Sequence, residues 1–309
     1  MRILLLGASG QVGHALRGAL AATGQLICST RSGKLDDGSP CVAADLSDPQ
    51  SLGRALDETA ADLVVNAAAY TAVDRAEDEP GAAERINHDA VAEIGEWAAR
   101  RGATVMHYST DYVFDGHATQ PYREDDPVAP IGIYGQSKLA GEQALGASGA
   151  AHFIVRTAWV YAARGHNFLL TMLRLAGERE ELRIVADQTG APTPAGLIAR
   201  TSAKMVEQWR GLDANRQRDL SGIWHLTASG RCSWFDFSEA IMAEAHAVGL
   251  IARPPRVVPI ASGDYPTRAL RPAFSVLDCG KLQSAFGVRL PDWREELRRV
   301  IGEIAGHRD

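Results

Sequence analysis

Four apolar residues, Ile3-Leu4-Leu5-Leu6, run without a break into Gly7-Ala8-Ser9-Gly10-Gln11-Val12-Gly13, and helical spacing of apolar residues follows through Leu16 and Leu20. A short continuous apolar run fits a strand buried on both faces of a sheet. Glycines three apart mean little by themselves in a chain that holds 30 of them. Their place between the first strand and the first helix is what constrains the fold. There Gly7 permits a tight turn, Gly10 lets the backbone approach a pyrophosphate, and Gly13 allows close helix packing. The helix N-terminus then faces the phosphates, so Gly7, Ser9, Gly10, Gln11, Val12 and Gly13 are the expected dinucleotide loop.

Alternation of strand and helix continues through the first half. Further strands are expected at 25–29, 41–43, 62–66, 103–108 and 152–156, separated mostly by helical segments near 11–22, 49–60, 80–101 and 133–147. Such alternation specifies an α/β fold with a doubly wound, Rossmann-type parallel sheet and ligands at the carboxyl ends of its strands. After about Arg156 the regularity fades. Helices near 167–178, 195–210, 234–248 and 292–305 accompany a strand-like Ile223-Trp224-His225-Leu226. The expected division is therefore a nucleotide-binding domain over 1–160 and a smaller, mixed substrate-binding domain over 161–309, crossing back to the sheet near 182–210.

Composition narrows the function classes. Hydrophobic residues are 46%, charged residues 23% and the net charge is −6, with basic residues dispersed, so neither nucleic acid nor an anionic membrane is an expected partner. Cys28, Cys41, Cys232 and Cys279 have no metal-ligand or disulfide spacing, and reduced thiols in a cytoplasmic protein are the expectation. The opening apolar run is too short for a secretory segment. His107, His225 and His246 form no ligand-like group and are expected to be satisfied or exposed.

Segments just past the strand ends carry the candidate chemistry. Thr30-Arg31-Ser32 offers a cation and two hydroxyls where a carboxylate would hold the ribose hydroxyls of NAD, which favours the 2′-phosphate of NADP(H), with NAD(H) as the alternative. Asp45 and Leu46 border the expected adenine position, and the small Ala67-Ala68-Ala69 run lets backbone lie against a cofactor. Tyr134 and Lys138, at i and i+4, share one helix face. A lysine charge there is expected to lower the phenol's pKa and prepare Tyr134 to protonate a carbonyl oxygen as hydride reaches the carbon. Ser109 and Thr110 are the candidate hydroxyls at the end of the neighbouring strand.

Taken with Val65–Asp74, His107–Phe114, Arg156–Tyr161, Asp187–Thr193 and Arg271-Pro272, these blocks make the chain resemble the extended short-chain dehydrogenase/reductases. Within them it is very similar to the dTDP-4-dehydrorhamnose reductase family. The resemblance covers nearly the whole chain. It implies NADPH- or NADH-dependent reduction at C4 of a dTDP-linked 4-keto-6-deoxy sugar, giving dTDP-L-rhamnose for cell-surface polysaccharide. It also implies that Thr110, Tyr134 and Lys138 act at the reacting carbonyl. Thr71, Val73 and Asp74 are further expected substrate contacts, and Trp159, Asn167 and Arg271 are candidates that offer a ring for the sugar, an amide for its hydroxyls and a guanidinium for the diphosphate. Sugar-nucleotide dehydratases need a glutamate after the threonine–aspartate pair, where this chain has Tyr112. An epimerase, another 4-ketoreductase and a non-catalytic nucleotide-binding regulatory subunit remain alternatives at this point. Some bacterial members share magnesium between subunits through glutamates on the first helix and on the helix after Gly190-Ala191-Pro192-Thr193. The aligned His14-Ala15 and Ala195-Gly196-Leu197 carry no carboxylate, so a monomer or a weak homodimer not bridged by magnesium is expected.

Overall fold

The computed structural model describes residues 1–306. Strands β1 (Arg2–Leu6), β2 (Gln25–Thr30), β3 (Val42–Ala43), β4 (Leu63–Asn66), β5 (Thr104–Thr110) and β6 (Ala151–Thr157) join Gly222–His225 in one seven-stranded sheet. Its order is β3-β2-β1-β4-β5-β6 and then Gly222–His225, with every neighbouring pair parallel. β1 shows why a continuous apolar run is needed. Ile3 and Leu5 pack with Leu16 and Leu20 of helix α1 (Gln11–Leu20) and with Leu197 and Ile198 of the helix Ala195–Arg210. Leu4 and Leu6 face the other way, onto Leu52 and Leu56 of helix α2 (Pro49–Thr59) and Val91 and Ile94 of the helix Ala90–Arg101.

Strand order reverses between β1 and β4, and doubly wound sheets bind ligands at such a switch point. The loops leaving these two strands touch. Gly7 has φ +78°, and a Cβ there would lie 2.8 Å from the amide nitrogen of Ala68. A Cβ on Gly13 would collide with the carbonyl oxygen of Gly7. The glycine spacing thus brings the start of α1 against the end of β1.

The expected helix over 80–101 is interrupted. Pro80–Glu84 and Ala90–Arg101 flank a wide π turn, Arg85–Asp89. Inside it, the Asn87 side chain donates to the Tyr70 carbonyl and to Ser137 Oγ and accepts from the Tyr70 N–H. These bonds tie the turn to the helix Ile133–Ala147, where a Cβ on Gly141 would strike the Asn87 carbonyl oxygen. Extended bulges of this kind concentrate near functional sites, and no single-helix periodicity could reveal it.

Past β6 the chain builds short two-stranded pairs. Glu181–Val185 runs parallel to Arg256–Ile260, and Val160–Tyr161 runs parallel to Thr193–Pro194. The strand that rejoins the main sheet is Gly222–His225, beyond the 182–210 interval, while the helix Ala195–Arg210 within that interval packs on α1. Ser233 and Asp236 form a capping box that starts the helix Trp234–Ala247. No helix among the described residues is long and apolar enough to cross a membrane.

Gly13→Ala is expected to lose about 1–3 kcal/mol by overpacking against Gly7. Gly18→Ala, on the same helix with nothing within 4 Å of the added carbon, is expected to be neutral or stabilising by up to about 1 kcal/mol. Urea or thermal denaturation of the two variants separates the effects; equal stability would show that the loop relaxes freely.

Candidate active site

A cleft of about 740 Å³ opens at the carboxyl ends of the central strands. On one side lie Gly7, Ser9, Gly10, Gln11 and Val12, with Arg31, Asp45 and Leu46 beyond β2 and β3 and Ala67, Ala68 and Ala69 beyond β4. Gly10 is the N-cap of α1 and offers no side-chain oxygen to the first helical amides, which leaves those donors for an anion. Thr30 turns inward to the Lys34 backbone, while Arg31 is exposed at the strand end and its charge reaches Asp45. This half of the cleft fits a dinucleotide.

Tyr134, Lys138, Thr110, Thr71, Val73 and Trp159 line the same cleft. The helix carrying Tyr134 begins at Ile133, whose amide donates to Glu77 Oε1 at 2.9 Å, so a carboxylate from a preceding loop supplies the cap that Gly132 lacks. Gly135 lets the helix settle onto the Tyr112 carbonyl, which a Cβ would strike. Tyr112 meets the Tyr134 ring edge-on, at 5.6 Å and 76°.

The two candidate hydroxyls at the end of β5 have separate jobs. Ser109 Oγ donates to Glu142 Oε1 at 2.5 Å, and Glu142 receives the buried guanidinium of Arg156 at 2.6 Å. Thr110 Oγ1 accepts from the Tyr112 N–H at 3.2 Å and donates to Asp111 Oδ1 at 3.0 Å, and it acts on the Tyr134 phenol to lower its pKa. Both residues line the cleft, and Thr110 is the one whose hydroxyl is not committed to Glu142.

Electrostatics correct one expectation. Burial pushes the Tyr134 phenol up to about 12, with Thr110 pulling down and the Asp111 charge pushing up. Lys138 does not lower it. The Lys138 Nζ is drawn beneath β5, donating to the Tyr108 carbonyl at 2.6 Å and lying 3.1 Å from His107 Nε2. Burial lowers Lys138 itself to about 8, against the charge of Glu142, which raises it. Asp111, 2% exposed, is pushed up to about 6 by burial.

Other expected substrate contacts fare differently. Trp159 stacks on Trp234 with centroids 3.5 Å apart and planes 4° from parallel, and it holds a left-handed φ of 47°. Beneath it, only a glycine at position 190 leaves room for the indole. Asn167 is turned away and corrects the expectation of a sugar contact. It caps the helix Phe168–Ala176, its oxygen accepting from Leu170, while its amide donates to Gln11 Oε1 and the Ala162 and Arg164 carbonyls. Asp74 and Arg271 form a two-bond ion pair of 2.8 and 3.2 Å away from the cleft lining, so the Arg271 guanidinium is occupied by Asp74 rather than free for a diphosphate. His14 joins Arg17 and Arg164 around Asp36. Glu84, His88 and Asp89 bring their ligand atoms within 4.8 Å on the surface, where His88 pairs with both carboxylates.

Comparison with known proteins gives the family. Residues 1–305 match the RmlD substrate binding domain. The chain is 46% identical over 310 residues to a dTDP-4-dehydrorhamnose reductase of Burkholderia thailandensis, covering 98% of this chain and 99% of that one. It is 43% identical to a dTDP-4-dehydrorhamnose reductase of Escherichia coli K12, with 98% of each covered. The chain belongs to the dTDP-4-dehydrorhamnose reductase family. Among solved structures, a dTDP-4-dehydrorhamnose reductase of Bacillus anthracis Ames in complex with NADP matches with a TM-score of 0.86 and 31% identity, over 98% of this chain and 99% of that one.

Sequence reasoning missed Trp234 as part of the cleft lining, and it gave no role to His107, which lies buried behind the cleft against Lys138. β5 is buried along its whole length, so no alternation marked His107 as special. Asp111 should impose a pH dependence: as pH rises through about 6 its proton leaves, and the new charge strengthens Tyr134's hold on its own proton. In Asp111→Asn that inflection in the pH profile of kcat/KM is expected to disappear. Its survival unchanged would assign the ionisation to another group.

Proposed function

We propose that the chain reduces the C4 ketone of dTDP-4-dehydro-6-deoxy-L-mannose to dTDP-L-rhamnose with NADPH, supplying an activated rhamnose for cell-surface polysaccharide in the cytoplasm. What carries the reading is one cleft that joins the Gly7–Val12 loop to Thr110 and Tyr134, in a chain matched along 98% of its length by reductases of that name. A nicotinamide dinucleotide in the loop-lined half supplies the hydride. Tyr134 holds the proton that the new alkoxide needs, and its raised pKa keeps the phenol protonated until charge develops on the carbonyl oxygen. Thr110 orients that oxygen. Trp159, backed by Trp234, offers an apolar wall to the 6-deoxy sugar. Tyr112 stands where a dehydratase would place its carboxylate base, which favours simple carbonyl reduction. The positions His14-Ala15 and Ala195-Gly196-Leu197 carry no carboxylate, and Asp36 beside His14 is already paired with Arg17 and Arg164, which favours a monomer or weak homodimer without bridging magnesium.

Tyr134→Phe keeps the ring and removes the proton. Turnover of the dTDP-4-keto sugar is expected to fall about 10²–10⁴-fold with NADPH binding retained; near-normal turnover would give the acid role to another group. Arg31→Asp replaces a cation by a repelling charge, and the NADPH over NADH ratio of kcat/KM is expected to fall by about 10- to 100-fold. An unchanged ratio would return Arg31 to a solvated surface role.

A further inference from the structure

β2 and the segment that enters β3 set two thiols side by side. Ser29 and Thr30 pair with Val42 and Ala43 in a parallel ladder, so one step back in the same register Cys28 lies opposite Cys41. Neighbouring strands run about 4.8 Å apart, inside the span of about 4.4–6.8 Å found between disulfide-linked Cα atoms. Side-chain direction agrees. Cys28 packs with Leu26 on the α1 side of β2, and alternation puts Thr30 on that side too. Cys41 Sγ lies 3.5 Å from Thr30 Oγ1, which places it on the same side. The thiols are near enough that a charge on Cys41 pushes Cys28 up. Both are partly exposed, whereas Cys232 and Cys279 are buried. Cys41 precedes β3 and its amide donates to the Gly33 carbonyl in the loop, so it is held by no strand ladder and can yield towards Cys28.

This pair adjoins the cofactor half of the cleft. Thr30 Oγ1 donates to the Lys34 carbonyl and accepts from the Lys34 N–H, and these bonds shape the turn that presents Arg31. Ala44, Asp45 and Leu46 line the cleft just past Cys41. We propose that Cys28 and Cys41 are a reversible oxidation site, closed to a disulfide by a hydroperoxide, that loosens the Arg31 turn when it closes. In the first step the Cys41 thiolate attacks hydrogen peroxide. An S–O bond forms, the O–O bond breaks, and the departing hydroxide takes a proton to become water. In the second step Cys28 sulfur attacks the sulfenic sulfur. The S–S bond forms, the S–O bond breaks, and the oxygen leaves as water with the proton of Cys28. Two thiols and one peroxide thus give one disulfide and two waters. Burial pushes the Cys28 thiol up against the pull of Arg17, which suits it to the second step rather than the first. Burial pushes Cys232 and Cys279 up as well and leaves them inert. A dithiol reductant reverses the bond by exchange. Closure draws Cys41 Sγ away from Thr30 Oγ1, at the root of the Arg31 turn. The effect on the cofactor rests on the proposed role of Arg31, whereas the crosslink does not.

The test exposes the full reduced chain to hydrogen peroxide, alkylates the remaining thiols and digests with trypsin under non-reducing conditions. Cys28 falls in the tryptic peptide 18–31 and Cys41 in the peptide 35–54. The two peptides are expected to appear joined, with the intact mass still that of one chain, and dithiothreitol is expected to separate them. In Cys28→Ser, Cys41 is expected to stop as a sulfenic acid that dimedone traps; in Cys41→Ser, Cys28 is expected to remain a thiol. The oxidised chain is expected to bind NADP⁺ about tenfold more weakly than the reduced one, as for the loss of one hydrogen bond to a charged group. In Arg31→Asp, whose own cofactor preference tests the reading of Arg31, the crosslink is expected to form unchanged. Thiols persisting at Cys28 and Cys41, or crosslinks that join two chains or include Cys232 or Cys279, would overturn the site. Equal NADP⁺ affinity in the two forms would overturn its link to the cofactor. If a serine variant does not fold, the wild-type peptide map decides alone.

Discussion

Glu142 is a carboxylate with 3% exposure inside a parallel sheet protein, and it is matched on three sides. Arg156 from β6 gives it two guanidinium nitrogens, and Ser109 from β5 gives it a hydroxyl. Breaking such a buried pair by removing one partner typically costs about 3–5 kcal/mol, because the other charge is stranded. The geometry of the cleft hangs on this clasp. It pins the helix Ile133–Ala147 to β5 and β6, one turn beyond Lys138 and two turns beyond Tyr134. Ser109 is used up by the clasp, which leaves the adjacent Thr110 as the hydroxyl not committed to Glu142. Glu77 fixes the other end of the same helix. Tyr134 is therefore placed by two carboxylates that never enter the cleft.

How much of this the sequence displayed depends on whether the information was local. The Ile3–Gly13 stretch specified strand, turn, helix and phosphate-facing amides because each is settled by neighbours within a few residues. The parallel order around β1 followed from alternation. Tyr134 and Lys138 were legible as a pair, since helical spacing alone puts them on one face. What they do to each other was not. The expected effect of Lys138 on the phenol assumed a bare charge beside it, and the fold instead turns Nζ toward Tyr108 and His107. Asn167 had the right residue type for a sugar contact and equally for an N-cap, and only the tertiary structure shows its amide spent on Gln11 and two carbonyls. Asp74 and Arg271 lie 197 residues apart, so their pairing had no local trace.

The side of the cleft lined by Trp159 and Trp234 is held by aromatic packing rather than by charge. Trp159 occupies a left-handed backbone conformation that a bulky residue rarely adopts. Trp234 stacked on its face and Gly190 beneath its ring compensate for that cost and fix the indole. Trp234 in turn sits at the first position of a helix started by the Ser233–Asp236 capping box. The wall is thus set by a helix terminus from the second half of the chain, while Tyr134 is set by a helix from the first.

The central claim is net reduction at one carbon, and isotope transfer tests it most directly. NADPH deuterated on the transferring face of its nicotinamide would be incubated with the dTDP-linked 4-keto-6-deoxy sugar, and the product sugar analysed by NMR and mass spectrometry. The account predicts one deuterium per molecule at C4 of dTDP-L-rhamnose, with NADP⁺ formed in equal amount. Epimerised sugar without net cofactor oxidation, or cofactor that binds and is not consumed, would contradict it.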